Sequence, residues 1–493
     1  MKELILLELY YTFLEFIMMK KNKINKLICF CALVFTLFFL GCSTDGDNDN
    51  TQGNNNPNNE VTAVMSISKN DLSFGYLENT HSFLIRNLSD TPFDWNWTET
   101  SSSSVISASP NSGTLAAGAS IEVTLTLDRS NMVTQIYNLS ARISNNKGQS
   151  LSQLIEIENY TENKWFIGGN VIDAEYDRVN DVMIVVSENP NQIRKFNLAT
   201  NVEESLSLNN IPKCISISQD GNYAAVGHNG NVSYINLTSM TIENSYAVSA
   251  DVYDIVLAPN NWVYITSSIS YQKMICVNLS NGQETFSQYN HIGYVPSYPN
   301  SAKVKLHPSG NYIYATPNGI VPSDIDKYSI TNGTAQFLYD SQYHGDYKFG
   351  NKFWLSENGS RIFTNSKNIF SSSSIQNNDL IYLSSIQGLE GDNSKVIDIM
   401  DINTNSNRIC ALFVYDPDQN VYIPSNKVRV YNAQFLYLRE VEIPKHMTTN
   451  VNGGVDFHES RGYFGFFNSS GTKFFVLVKY LPNQWAIATI NVT

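Results

Sequence analysis

The chain has 493 residues, with 45 Asp and Glu against 32 Lys and Arg, a formal net charge of −13. That balance, with no run of more than two basic residues beyond position 41, disfavours nucleic acid and anionic headgroups as partners, since both reward clustered cations. With 28 Tyr and 25 Phe beside abundant Thr, Val and Ile, the composition is strand-forming, and the length accommodates two or three domains.

Lys20, Lys21, Lys23 and Lys26 precede a 14-residue apolar run, Leu27 to Leu40. This is the pattern of a secretory signal, and the run is shorter than the ~20 residues a membrane-spanning helix requires. The apolar residues of 1–17 come before the positive region instead of after it, which places the true start at Met18 or Met19. Gly41-Cys42 sets a small residue before a cysteine, and residues 43–60, with Asp45, Asp47, Asp49 and an Asn-rich stretch, hold almost nothing apolar to bury. The segment resembles a bacterial lipoprotein signal, with Phe39 where that pattern usually has Leu. The acidic run after Cys42 resembles the surface-export signal of Bacteroidota lipoproteins. The resemblance implies a signal peptide over 1–41, lipid on Cys42, a disordered tether over 42–63, and an outer-membrane protein facing the cell exterior. Acyl chains contribute about 0.8 kcal/mol per buried methylene, so two or three of them hold a protein durably on a bilayer. Once 1–41 is removed, 27 basic and 42 acidic residues remain, a formal charge of −15.

From Val64 to Tyr160 the chain reads as short strands. Ile121, Val123, Leu125 and Leu127 alternate with Glu122, Thr124 and Thr126, and Leu139, Ala141 and Ile143 repeat the period of two. About seven strands in this length, separated by Asn-Ser-Gly and Ala-Ala-Gly-Ala turns, predict a sandwich with two buried inner faces. Leu72-Ser73-Phe74-Gly75, the strand Phe83 to Asn87, Ser109 to Gly118 and Leu127-Asp128-Arg129-Ser130 together resemble the BACON domain, an immunoglobulin-like module. Val105-Ile106 stands where that family often has Trp-Leu. The resemblance implies a spacer or a carbohydrate-binding role. Trp95 and Trp97, two apart on a strand, are either a core edge or a stacking surface for a sugar.

Residues 163–493 carry a diffuse internal repeat: a polar turn, an aromatic or β-branched strand, and a later strand ending in Asn-Leu or a variant of it. Copies begin at Asn180, Ser218, Pro259 and His307, with fainter ones at Ser356, Asp416 and Ser469. Seven copies in this length give about 47 residues each, which suits a four-stranded blade. The run resembles the YVTN or WD40-like β-propellers of bacterial surface proteins. The expected architecture is all-β, a small immunoglobulin-like sandwich over 64–160 followed by a seven-bladed propeller over 163–493.

The chemistry-bearing residues are sparse. Of seven histidines no two have metal-ligand spacing, so no metal or other cofactor is expected, and His307 falls on a repeat turn. His344 with Asp346, and His458 with Glu459, are the acid–base pairs within local reach. Cys214, Cys276 and Cys410 are far apart among apolar residues and read as small buried hydrophobes. The long inserts hold Tyr289, Tyr294, Tyr298, Tyr343, Tyr347 and Trp354, an expected aromatic platform for a ligand, with ordinary packing between blades as the alternative. The functional expectation is a surface lipoprotein, held to the membrane through Cys42, that binds a glycan or a surface protein through propeller loops. A polysaccharide lyase or glycosidase is the alternative, and it requires acidic, His or Tyr residues converging at one channel mouth.

Overall fold

The computed structural model describes residues 65–162, 164–289, 297–298, 301–415 and 422–492. The apolar leader, Cys42, the tether and Tyr294 lie outside these residues. Among the described residues, all regular structure is strand apart from one short 3-10 turn, Gln376–Asn378.

Residues 65–159 form two facing sheets. One orders the strands Met65–Ile67, Thr80–Asn87, Ser120–Leu127 and Ile106–Ser109; the other orders Asp71–Phe74, Ser150–Asn159, Gln135–Asn145, Phe93–Glu99 and Ser112–Leu115. The two additional strands over the seven expected are short pieces beside Pro110 and at the start. The alternating residues behave as their period requires: Val123, Leu125, Ala141 and Ile143 are buried together with Phe74, Phe83 and Ile157. Trp95 and Trp97 belong to this core, at 2 % and 8 % exposure, and Trp97 Nε1 donates to Gln153 Oε1 at 3.2 Å. Neither indole presents a face to a sugar. Arg129 clamps one end of the sandwich, donating to the carbonyls of Gly75, Glu78 and Glu158 and to the Asn79 and Asn159 side chains, which uses the whole guanidinium fork.

The remainder is a propeller-like series of four-stranded antiparallel units. Four stand as separate sheets, made of strands within 170–207, 302–340, 353–385 and 395–442. A six-stranded sheet joins two more through the 18-residue strand Thr241–Ala258. Its first part pairs with Asn229–Asn236, and from Val252 onward it pairs with Trp262–Ser267. The last sheet closes the series, because Lys164–Ile167 adds to Gln484–Asn491, Lys473–Leu481 and Arg461–Phe467. Joining the first strand to the last three by backbone hydrogen bonds removes the free ends that an open array would expose.

The repeat has a physical basis at two turns. The Asn of each Asn-Leu pair accepts backbone N–H bonds two or three residues on: Asn197 from Ala199 and Thr200, Asn236 from Thr238 and Ser239, Asn278 from Ser280. The Gly of the other turn sits at positive φ under its neighbour. A Cβ on Gly221 (φ +72°) would collide with the Asp177 carboxylate, and one on Gly471 (φ +70°) with the Asn403 amide. Asp177 and Asn403 thus occupy equivalent places, so the copy read at Asp416 is misplaced. The corresponding turn is Asn403–Asn407, ahead of Arg408–Tyr415; residues 416–421 follow that strand, outside the described residues. Cys214, Cys276 and Cys410 are unpaired and buried at 1 % exposure or less.

A hairpin, His446–Thr449 with Val455–His458, is inserted between the last two units and reaches the sandwich. Phe457 packs edge-on against Tyr76 and Tyr160, at 5.1 and 5.0 Å between centroids. His446 Nδ1 lies 2.7 Å from Glu162 Oε1, and Lys164 Nζ bridges Glu162 and the Lys445 carbonyl at 2.8 and 2.7 Å.

Candidate functional site

The first strands of successive units run side by side in one direction, as their cross-unit bonds show. Asp173 and Glu175 carboxylates accept the N–H groups of Ile215 and Ile217, Asp254 accepts that of Val304, and Asp401 that of Phe467, at 2.7–2.9 Å. Cations answer these carboxylates: Lys303 lies 3.6 Å from Asp254, Lys305 lies 4.0 Å from Glu175, and Arg178 grips Asp401 with both oxygens at 2.6 Å while also meeting Glu357. Burial pushes the Glu175 carboxyl up to about 7 against the pull of Lys305. Burial works against the Lys303 charge, but Asp254 and Asp173 outweigh it and raise its pKa. The N–H bonds to these carboxylates, with the Arg178–Asp401 pair, join the units to one another.

The face at which the first strands begin is different in character. Four of those strands bulge at the same point, skipping Ile172, Tyr253, Asp398 and Tyr463 in the register, which re-aims the extra side chain. Asp398 receives Lys352 Nζ at 2.5 Å and Tyr422 Oη at 2.7 Å. Burial and the Asp398 charge push the Tyr422 phenol far up, so it is not a proton acceptor at neutral pH. Lys303 lies 4.7 Å over the Tyr253 ring, whose hydroxyl accepts from Asn318 Nδ2 at 2.9 Å.

Next to Asp398 and Tyr422 on this face is a cavity of about 220 Å³ lined by Lys395, Phe413, Tyr415, Pro424, Lys427, Arg429, Glu440 and Arg461 among others. Four cations line it with Glu440, and Asp392 lies behind two of them. Arg429 is buried and committed, bidentate to Asp392 at 2.5 and 3.1 Å and bonded to Glu440 at 3.2 Å. Lys427 pairs with Glu440 at 2.9 Å. The other two retain capacity. Lys395 is only 3.6 Å from Asp392 and lies 5.4 Å over the half-exposed Tyr415 ring, while Arg461 spends one bond on the Pro424 carbonyl and has no ion pair among the described residues. A planar ring beside a guanidinium and an ammonium can hold a sugar ring and a carboxylate or sulfate on it.

Of the six aromatic residues singled out from the sequence, the five described ones are not brought together as one surface. Tyr298 is 2 % exposed, its hydroxyl 2.6 Å from that of Tyr328 in the packing between the 302–340 unit and the strands Thr241–Ala258 and Trp262–Ser267 before it. Tyr289 packs on Phe337 at 5.5 Å. Tyr343 and Tyr347 do form a pair, at 4.9 Å, and Tyr347 stacks on Tyr382 at 4.1 Å, all against the packing between the 302–340 and 353–385 units. Trp354 packs into the next cluster round, with Phe363 and Ile397. Tyr294 lies outside the described residues. His307 is a turn residue, bonded to Ser309 Oγ and the Gly359 carbonyl, both at 2.8 Å. His458 meets Thr448 Oγ1 at 2.8 Å, whereas Glu459 turns to Asn426 and Lys445. His344 meets Asp324 at 3.3 Å.

No protein-family model matches the chain, and no curated protein matches it. Among solved structures, the β-propeller domain of Cps50 (Swd1) from Myceliophteria thermophila aligns at 14 % identity and TM-score 0.48, covering 66 % of this chain and 98 % of its own. Hydrazine synthase of Kuenenia stuttgartiensis aligns at 10 % identity and TM-score 0.48, covering 66 % of this chain and 96 % of its own.

Proposed function

We propose that this is a surface lipoprotein that binds an acidic glycan. It is anchored through lipid on Cys42, spaced from the membrane by a BACON-like, immunoglobulin-like sandwich, and presents ligand sites on one face of a seven-bladed propeller. The seven-blade reading is supported by dividing the six-stranded sheet at Val252 and adding the closing sheet to the four separate ones. The observation that carries the ligand class is the cavity beside Asp398. In a chain of net charge −13, it gathers Lys395, Lys427, Arg429 and Arg461 around Phe413 and Tyr415, with Glu440 opposite. A charge-assisted bond from Arg461, which has no ion pair among the described residues, to a uronate or sulfate, with Lys395 adding its charge from its pair with Asp392 and the sugar ring against Tyr415, accounts for the arrangement.

The test is a glycan array spanning neutral, uronate-bearing and sulfated oligosaccharides, probed with the purified protein and with Arg461→Ala and Lys395→Ala. Saturable binding of acidic glycans that each substitution weakens by about 1.5–3 kcal/mol, the worth of a hydrogen bond to a charged group, supports the reading. Equal binding of neutral glycans, or retention by both variants at the level of the wild type, overturns it.

A further inference from the structure

Away from that cavity, on the same face, three donors from two crossings and one strand end converge at the 302–340 unit. Asp324 ends the crossing into Asp326–Ser329, Asp340 ends the strand Gln336–Asp340, and His344 sits in the crossing that follows. One ligand atom of each lies within 4.8 Å of those of the other two, with Asp324 Oδ2 at 3.3 Å from His344 Nδ1. We propose that Asp324, Asp340 and His344 bind a first-row divalent cation of the Zn2+ class.

The donor set is mixed. Two carboxylates and an imidazole suit Zn2+ and its first-row neighbours, whereas sites for Ca2+ and Mg2+ are built from oxygen alone. Asp324 is pre-positioned: its Oδ1 accepts the N–H groups of Ile325 and Ser341 at 2.7 and 3.2 Å, leaving Oδ2 turned toward the imidazole. Such bonds behind a ligand fix its orientation. The charge is also one-sided. Asp326, 6 % exposed, is the register partner of Asp340, and among the described residues no lysine or arginine forms an ion pair with Asp324, Asp326 or Asp340. Asp340 and His344 are exposed, so three protein donors leave a coordination position open to water or to an oxygen of an external ligand. Sequence spacing carried no sign of the site, because the register of two adjacent strands and the turn after them bring the donors together.

The test uses the chelator-stripped full chain and ZnCl2 alone, titrated by calorimetry and by thermal unfolding. Asp340→Asn and His344→Ala are exposed changes that leave the core intact, and Asp324→Asn keeps an acceptor for the two backbone N–H groups. The expected result is one saturable equivalent of Zn2+ with a rise in Tm. Each of the three variants should weaken it by more than about tenfold, the lower bound seen even for groups behind a ligand, and Asp346→Asn should leave it unchanged. Absence of saturable Zn2+ binding overturns the proposal. So does binding that survives both Asp340→Asn and His344→Ala, since it would then lie at other histidines. Tighter binding of Ca2+ than of Zn2+, unaffected by His344→Ala, overturns the donor assignment.

Discussion

Asp379→Ala tests whether adjacent units are locked by charge as well as by apolar packing. Asp379 and Lys327 have fully buried side chains 2.9 Å apart, one on the strand Asp326–Ser329 and the other in the crossing of the next unit. The carboxylate also accepts from Tyr314 Oη at 2.8 Å, Tyr339 Oη at 3.1 Å and the Ser373 N–H at 2.7 Å. The ammonium lies within 4.4–5.6 Å of the rings of Tyr312, Tyr314 and Tyr339. Removing the carboxylate strands a buried cation, which costs about 3–5 kcal/mol. Tyr314 keeps a bond to Ser372 Oγ at 2.9 Å, while Tyr339 Oη and the Ser373 N–H lose their bond to the carboxylate. At about 2 °C per kcal/mol for a large domain, Tm should fall by about 8 °C. Burial already draws the Lys327 pKa below its usual value. A lysine with a depressed folded pKa binds fewer protons folded than unfolded, so stability rises with pH through that window, and the penalty should shrink as the pH is raised. Lys327→Met with Asp379→Leu removes both charges and should recover most of the loss, since apolar replacement of a buried pair is close to neutral. Thermal unfolding of the wild type, the single variant and the double variant decides it. A single variant within about 2 °C of the wild type, or a double variant no better than the single one, refutes the reasoning.

Cys42→Ala should move the protein from the membrane fraction to the soluble fraction of cells; retention at the wild-type level would sink the lipid-anchor reading. Glu175→Gln should raise stability relative to the wild type more at pH 8 than at pH 5. The folded carboxyl titrates at about 7, above its ordinary 4.5, so the wild type binds extra proton when folded and loses stability as the pH rises through that window, on the order of 2 kcal/mol. Equal Tm differences at the two pH values would show that Glu175 is not held by burial.

The sandwich was legible because its signal is local. The strand Ser120–Leu127 alternates with period two and buries Val123, Leu125 and Leu127, and Leu127-Asp128-Arg129-Ser130 marks the clamp residue. The repeat was legible where one side chain serves one turn, as Asn197, Asn236 and Asn278 do. It failed at 363–410, where the turn is carried by Asn403 without a nearby Gly of its own and the crossing 372–381 is held by Asp379 reaching into the neighbouring unit. Equivalence there lies in what Asn403 touches, the unit that begins at Arg461, and no window of the sequence displays that contact. The aromatic residues misled for a related reason. Tyrosines in long inserts look displayed, but Tyr298 and Tyr347 fill the space between sheets that a propeller-like ring must pack.

The same geometry explains where ligand chemistry is free to sit. Round the axis, Asp173, Glu175, Asp254 and Asp401 are each consumed by a backbone N–H of the next unit, and Lys303, Lys305 and Arg178 are consumed by them. A ligand there would have to break the bonds that hold the ring. On the face where the first strands begin, polar groups come from strand ends and from crossings whose backbone is already satisfied locally, as at Asp324 with Ile325 and Ser341. Arg461, with no ion pair among the described residues, and the exposed Asp340 and His344 therefore remain available without loss to the fold. Their substitution should separate binding from stability, whereas substitution of Asp254 or Asp401 should affect both together.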